Sequence, residues 1–457
     1  MKREEGRMIR HILAREFLDS LESLRFIIST VLCVFLIVFT VYVSTDDYVD
    51  RLKDHDSALT AYAEDTDHLF PKIYRKPQML GIFSEGVDKH VGNMVEIRTW
   101  ESPFRATGYG WSSRETEYMA SFAPIDVSFA IKFILSLLAI FLTYDAISGE
   151  RESGLLKLVL SNSVSRGAFL TGKLLGRFLC LLIPLALGMI ISLLFLVINP
   201  SIELSGADWI RIGIFSGLAL LYVSAFLCAG LAVSAIARSS ASSLIILLTV
   251  WILAIAIYPV LSVISAEHLH PIDQPDVMEK KVRSIEDEYQ KRFMELYRLG
   301  AQMLREGKME EMHKYYVQAN QVNMERGQVV DKLKQGFLNE FAAQSNFARN
   351  ISRLSPAGCF SNASEAIVNS DIGAYDRFVE TVRQFWHQHV EYRKEREKLF
   401  EEGNVEEARK MEAPKEPTVI YPLADSVRRA SPDIAVLILF TGLCFIAAYA
   451  LFARCEL

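Results

Sequence analysis

Residues 144–176 read Y-D-A-I-S-G-E-R-E-S-G-L-L-K-L-V-L-S-N-S-V-S-R-G-A-F-L-T-G-K-L-L-G, a charged, helix-prone stretch between two long apolar runs. Glu150, Arg151, Glu152, Lys157, Arg166 and Lys173 keep it out of hydrocarbon, while Leu155, Leu156, Val159 and Leu160 recur at helical spacing. That combination predicts an amphipathic helix lying on a membrane surface or docked into a partner. It is the point at which a partner would push on this chain.

The flanking runs set the fold class. Six apolar stretches, at 26–43, 125–144, 178–198, 209–235, 244–264 and 434–452, are each long enough to cross a hydrocarbon core. About half of the 457 residues are hydrophobic, which suits a polytopic helical membrane protein and not a soluble enzyme. The net charge of −6 matters less than its placement. Lys2, Arg3, Arg7, Arg10, Arg15 and Arg25 precede the first run; Arg151, Lys157, Arg166, Lys173 and Arg177 follow the second; Arg238 follows the fourth and Arg454 the sixth. The connection after the third carries Glu203 and Asp208 and no Lys or Arg. Basic residues near span ends mark the cytoplasmic side, so both termini are expected in the cytoplasm and two large segments outside. The first run is too long for an ordinary signal sequence, and 43–46 is a poor cleavage site, so it reads as a retained anchor.

Before it, Ile9, Ile12, Leu13, Phe17, Leu21 and Leu24 line one side of a helix, as in an interfacial elbow or a solvated leader. The first outer segment opens with a polar helix and then breaks into Pro- and Gly-punctuated pieces, with a short strand over 92–100. Lys132 lies near the outer end of the second run, where it either snorkels to the interface or lines a polar path. Gly172 with Gly176 and Gly213 with Gly217 are small pairs that let helices approach closely, within one chain or between two. In the second outer segment Val282, Ile285, Tyr289, Leu296, Leu299 and Met303 form a heptad seam; after Gly307 a second helical run through Phe341 predicts an antiparallel hairpin. A third helix covers 375–399 and breaks at Gly403, and Pro414, Pro417 and Pro422 return the chain to the last span.

Little chemistry is written here. Gly167 to Leu174 nearly matches a phosphate-binding loop, but Leu174 stands where a hydroxyl must reach Mg²⁺, and no buried strand precedes it. The chain is not expected to hydrolyse ATP. The pairs His268/His270 and His387/His389 lack accompanying ligands, and i, i+2 side chains diverge on a helix, so no metal is expected. No catalytic set and no nucleic-acid-binding feature stand out.

At 145–166 the sequence resembles the type-2 permease family of ATP-binding-cassette exporters, in which a G-E-R/K-E-x-G-T-L-like segment follows the second span and an S/T-x-P-V-S/T-R-like turn and a Lys lead into the third. Gly149, Glu150, Arg151, Glu152 and Gly154 match the first part, and Val164, Ser165, Arg166 and Lys173 the second; Leu155 replaces the usual Thr and Ser163 the usual Pro. The large outer insertions, and 351–356 with the helix after it, look like the subgroup that includes the permease of nitrous-oxide-reductase maturation and gliding-motility permeases. The resemblance implies an all-α polytopic architecture: elbow helix 1–24, first span 25–43, first extracytoplasmic segment 44–124, spans 2–5 over 125–264 with coupling loop 145–173, a helical second extracytoplasmic segment 265–432, and last span and tail 433–457. It implies a second permease chain and a separate ATPase subunit that binds the ATP and Mg, with no cofactor in this chain. Glu150, Arg151 and Glu152 would make charged contacts at the dock, and Leu155 and Leu156 would fill an apolar notch. The expected function is the permease subunit of an exporter; the rival is a transmitter that rearranges an extracytoplasmic partner without moving solute. A membrane-embedded enzyme is disfavoured by the missing catalytic set.

Overall fold

The Arg- and Glu-rich start folds as helix α1 (Lys2–Leu21), and after a two-residue break α2 (Leu24–Glu64) begins. The computed structural model describes residues 2–64, 71–89, 91–97, 126–161, 165–273, 275–402 and 404–454. Helix α2 runs unbroken for 41 residues, so the first span and the polar helix expected after it are one rod. No Gly or Pro lies between 44 and 64 to interrupt it.

Span 2 comprises α3 (Val127–Ala130), a π-helical turn (Ile131–Leu135) and α4 (Ser136–Thr143), followed by the short helices α5 (Ser148–Glu152) and α6 (Leu155–Ser161). Span 3 is α7 (Arg166–Ile198) and span 4 is α8 (Gly206–Ile236). Span 5 joins α9 (Ser240–Ile252), a second π turn (Leu253–Ile257) and α10 (Tyr258–Leu269). These and α2 give five of the six helices long and apolar enough to cross a membrane; the sixth closes the chain. Spans 2 and 4 are the most enclosed, and spans 5 and 6 keep most of their surface outside the bundle.

The glycine pairs part company. A Cβ at Gly172 would sit 2.8 Å from Ile12 Cγ2, and one at Gly176 2.9 Å from the Leu13 carbonyl oxygen, so this pair seats α1 against α7. Gly213 and Gly217 meet nothing within 4 Å among the described residues, so they make no close packing there.

Beyond the spans, β1 (Lys72–Tyr74) and β2 (Met94–Glu96) pair antiparallel with Ile73 opposite Val95. Residues 98–100 of the expected strand lie outside the described residues. The ribbon's Ile73, Val95 and Ile97 pack on Phe378, Val382 and Phe385. Buried Asp88 fastens it to α2, taking Arg75 at 2.7 Å and Arg51 at 2.9 Å. The heptad seam becomes the hairpin α11 (Pro275–Arg305) and α12 (Met309–Ser352), turning through Gly307 at φ +76°. Helices α13 (Pro356–Val368), α14 (Ile372–Glu401), α15 (Val405–Lys410) and α16 (Leu423–Ala453, span 6) complete the chain. Gly403, the expected break after α14, is outside the described residues.

Part of the segment 265–432 packs against the spans. Gln344 Nε2 donates to the His270 carbonyl at 2.8 Å, Tyr258 OH to the Ile351 carbonyl at 3.1 Å, and Ser355 Oγ to the Ala254 carbonyl at 2.6 Å. The end of α12 thus descends along span 5, and Leu269 to Ala254 is about 22 Å of helix. Helix α13 then climbs back along α8: Phe360 stacks on Tyr222 at 4.8 Å, and Arg211 Nη1 donates to the Ile367 carbonyl at 2.7 Å. Ala357, Cys359, Phe360, Ala363, Ala366 and Ile367 are fully buried in the main core. Span 6 locks this re-entrant hairpin, since fully buried Asp433 accepts from Arg353 Nε at 2.9 Å and from Asn362 Nδ2 at 3.1 Å.

Candidate functional site

The candidate site is the α5–α6 elbow, held by four other helices. Ser234 Oγ in α8 receives the Ile147 and Ser148 amides at 3.0 and 3.1 Å, fixing the start of α5. Arg151 reaches the end of α8, donating from Nη1 to the Ala237 carbonyl at 2.7 Å and from Nη2 to the Ala235 carbonyl at 2.6 Å. A guanidinium there satisfies carbonyls the helix leaves open and meets the negative end of its dipole. Glu152 does the reverse at the start of α9, accepting from the Ser240 amide at 3.2 Å and hydroxyl at 2.7 Å. Glu150 Oε1 accepts from Lys173 Nζ in α7 at 2.7 Å.

Lys173 extends that tie to α1, bonding Glu16 Oε1 at 2.5 Å, while Arg177 Nε donates to Glu16 Oε2 at 3.1 Å. Burial alone would push the Glu16 carboxyl up, but Arg177 and Lys173 outweigh it and hold the group below its ordinary range. Lys173, the basic residue of the near-match to a phosphate loop, therefore lies inside a continuous helix with its ammonium engaged. Ser165 caps that helix, accepting from the Ala168 amide at 3.2 Å, and Arg166 bonds the Phe452 and Ala453 carbonyls that end span 6. Val164 and Ser163 are outside the described residues.

Between α5 and α6 the chain turns through Gly154 at φ +74°, a conformation an L side chain resists. Helix α6 then divides its leucines. Leu156 is 2% exposed, packed with Ile147, Phe169, Leu170, Leu231 and Phe452. Leu155 is 44% and Leu158 64% exposed, with Lys157 between them facing out.

Gly149, Glu150, Arg151, Glu152 and Gly154 assemble as one element; each of the three charges has a partner within the chain, Glu152 stays exposed, and Leu156 is buried. The outward apolar face is Leu155 with Leu158. Leu158 was legible, lying three residues beyond Leu155 and off the Leu156–Val159 line. The two histidine pairs are separated: the His270 ring packs on Phe347 at 4.8 Å, and His389 lies between Phe385 and Tyr392 on α14.

The profile of the ABC-2 family transporter proteins matches residues 10–457. Over 179 residues the chain is 30% identical to the probable ABC transporter permease protein NosY of Pseudomonas aeruginosa, covering 36% of this chain and 64% of that one. It is 28% identical over 159 residues to the protein of the same name from Stutzerimonas stutzeri, covering 34% and 57%. The chain thus spans less than two thirds of the length of either relative. It belongs to the ABC-2 family of transporter proteins, as a multi-pass, non-catalytic membrane permease.

Proposed function

We propose that the chain is the permease subunit of an exporter, driven by a separate ATPase that docks on the outward face of α5–α6 and binds the ATP and Mg. The observation that carries this reading is the element's construction. It offers Leu155 and Leu158 outward while hydrogen bonds and ion pairs tie it to α1, α7, α8 and α9. A push there reaches four helices at once. The basic residues of this end, with α1 and the end of α16 beside it, support a cytoplasmic placement in the inner membrane of a prokaryote. The open faces of spans 5 and 6 and of Gly213 and Gly217 leave room for a second permease chain.

A transmitter acting on an extracytoplasmic protein partner is the second reading. Helix α12, 44 residues long, passes without a break from the hairpin turn at Gly307 to the re-entrant tip among the spans. Movement of the spans would be carried along it for about 66 Å.

The test is to co-express the chain with an ATPase encoded beside it and place the purified complex in vesicles. Export predicts ATP turnover that needs both chains and ATP-dependent movement of a compound across the bilayer. Turnover that shifts the α11–α12 hairpin while nothing crosses would favour the transmitter, and failure to capture an ATPase would overturn both.

A further inference from the structure

A cavity of about 770 Å³ opens between span 5, the start of span 2 and the re-entrant hairpin. Both π turns line it, the first through Lys132 and Phe133 and the second through Ile255 and Ala256. Such turns are rare, and they are frequent at functional sites. Bonds beside the cavity hold the first of them and its flank: Tyr222 OH in α8 donates to the Lys132 carbonyl at 3.0 Å, and Trp251 Nε1 in α9 to Ser136 Oγ at 2.9 Å. The mouth is apolar, with Val260 and Val263 more than half exposed on α10 beside Phe341. It is continuous with the face of span 5 left outside the bundle.

The floor is charged. Lys132, Arg349 and Glu365 all line it, and no hydrogen bond or ion pair joins Lys132 to Glu365 among the described residues. Asp371 also lines it but is held by Arg429, at 3.0 and 3.1 Å. Arg349 shares Asp433 with Arg353, at 3.6 Å against 2.9 Å, so two guanidiniums serve one carboxylate. Among the described residues, Arg349 therefore has only a shared carboxylate, and Lys132 acts on Glu365 and Asp126 without an ion pair to either.

We propose that this cavity holds the head of a phospholipid bearing both a phosphate and a primary ammonium, the phosphate on Lys132 and Arg349, the ammonium on Glu365, and the chains leaving past Val260 and Val263. A cation pair suits a phosphate, and a carboxylate suits a donor with N–H bonds to give. A quaternary ammonium has none, and a glycerol head has no positive charge. The volume is that of an ordinary small-molecule site.

The full chain, reconstituted with equal phosphatidylethanolamine, phosphatidylcholine and phosphatidylglycerol of identical chains and then washed in detergent, tests this by mass spectrometry of the retained lipid. Phosphatidylethanolamine should be retained about tenfold over the other two, the factor that one charge-assisted hydrogen bond supplies. Lys132→Ala should lower retention of all three lipids together and Lys132→Arg restore it. Glu365→Gln should equalise phosphatidylethanolamine and phosphatidylglycerol while leaving both bound, which decides the matter even if Lys132→Ala fails to fold. Equal retention of the three lipids by the native chain, or an unchanged preference in Glu365→Gln, overturns the assignment. No ATPase enters the measurement, so its failure leaves the coupling reading untouched.

Discussion

Aspartates placed together at Leu155 and Leu158 should release the ATPase from the purified complex, weakening association by about 30-fold or more. Both side chains are exposed in the isolated chain, at 44% and 64%. Large apolar side chains at the centre of an interface are each worth on the order of 2 kcal/mol, and a carboxylate in their place adds a desolvation cost. Membrane insertion and thermal stability should stay near the native values, because Leu156 and not its neighbours anchors α6. Leu156→Ala is the contrast: it should cost about 2–5 kcal/mol of stability by opening a cavity beneath the elbow. Titrating ATPase against the immobilised permease reads the first effect, and an unchanged affinity of the double variant would sink the assigned face.

The second large effect is expected at Lys173. Its side chain is 2% exposed and its ammonium serves Glu16 and Glu150 together. Lys173→Met would leave Glu150 without that ion pair and Glu16 with Arg177 alone. Breaking a buried ion pair from one side costs about 3–5 kcal/mol, so the melting temperature should fall by several degrees. Helix α1 should also loosen, keeping the Glu16–Arg177 pair and its packing at Gly172, Gly176 and Phe17. Limited trypsin digestion at Arg10 and Arg15 reports that directly. The tie is present at neutral pH: the Glu16 carboxyl is held below its ordinary range, so its contribution is complete above that range and is lost only as pH falls through the lowered value. Native-like digestion and melting in Lys173→Met would show that the network carries no weight.

The readable and unreadable parts of this molecule divide along physical lines. Six spans and the α11–α12 hairpin follow from apolar length and heptad spacing, which act locally and leave a periodic trace. The continuity of α2 was equally available, in the absence of Gly and Pro after residue 44, but the change from apolar to polar there resembles a boundary. The re-entrant α13 was hidden because 13 residues fall short of a span, and its polar Asn362, Ser364 and Glu365 give it the look of an exposed helix. At the elbow, residue types identified the element but not the direction of its charges. Glu150, Arg151 and Glu152 could face a partner or the ends of their own neighbours. Only the positions of Ala235, Ala237, Ser240 and Lys173, 23 to 88 residues away in sequence, decide that.

The central claim is that energy enters this chain through the outward face of α6. A photo-crosslinking amino acid at position 158, compared with one at exposed Leu304 beside the α11–α12 turn, measures it most directly in membranes that also contain the ATPase. The expected result is an adduct with the ATPase chain from position 158 and none from 304. No ATPase adduct at 158, or one as strong from 304, would contradict both the docking face and the side of the membrane on which it lies.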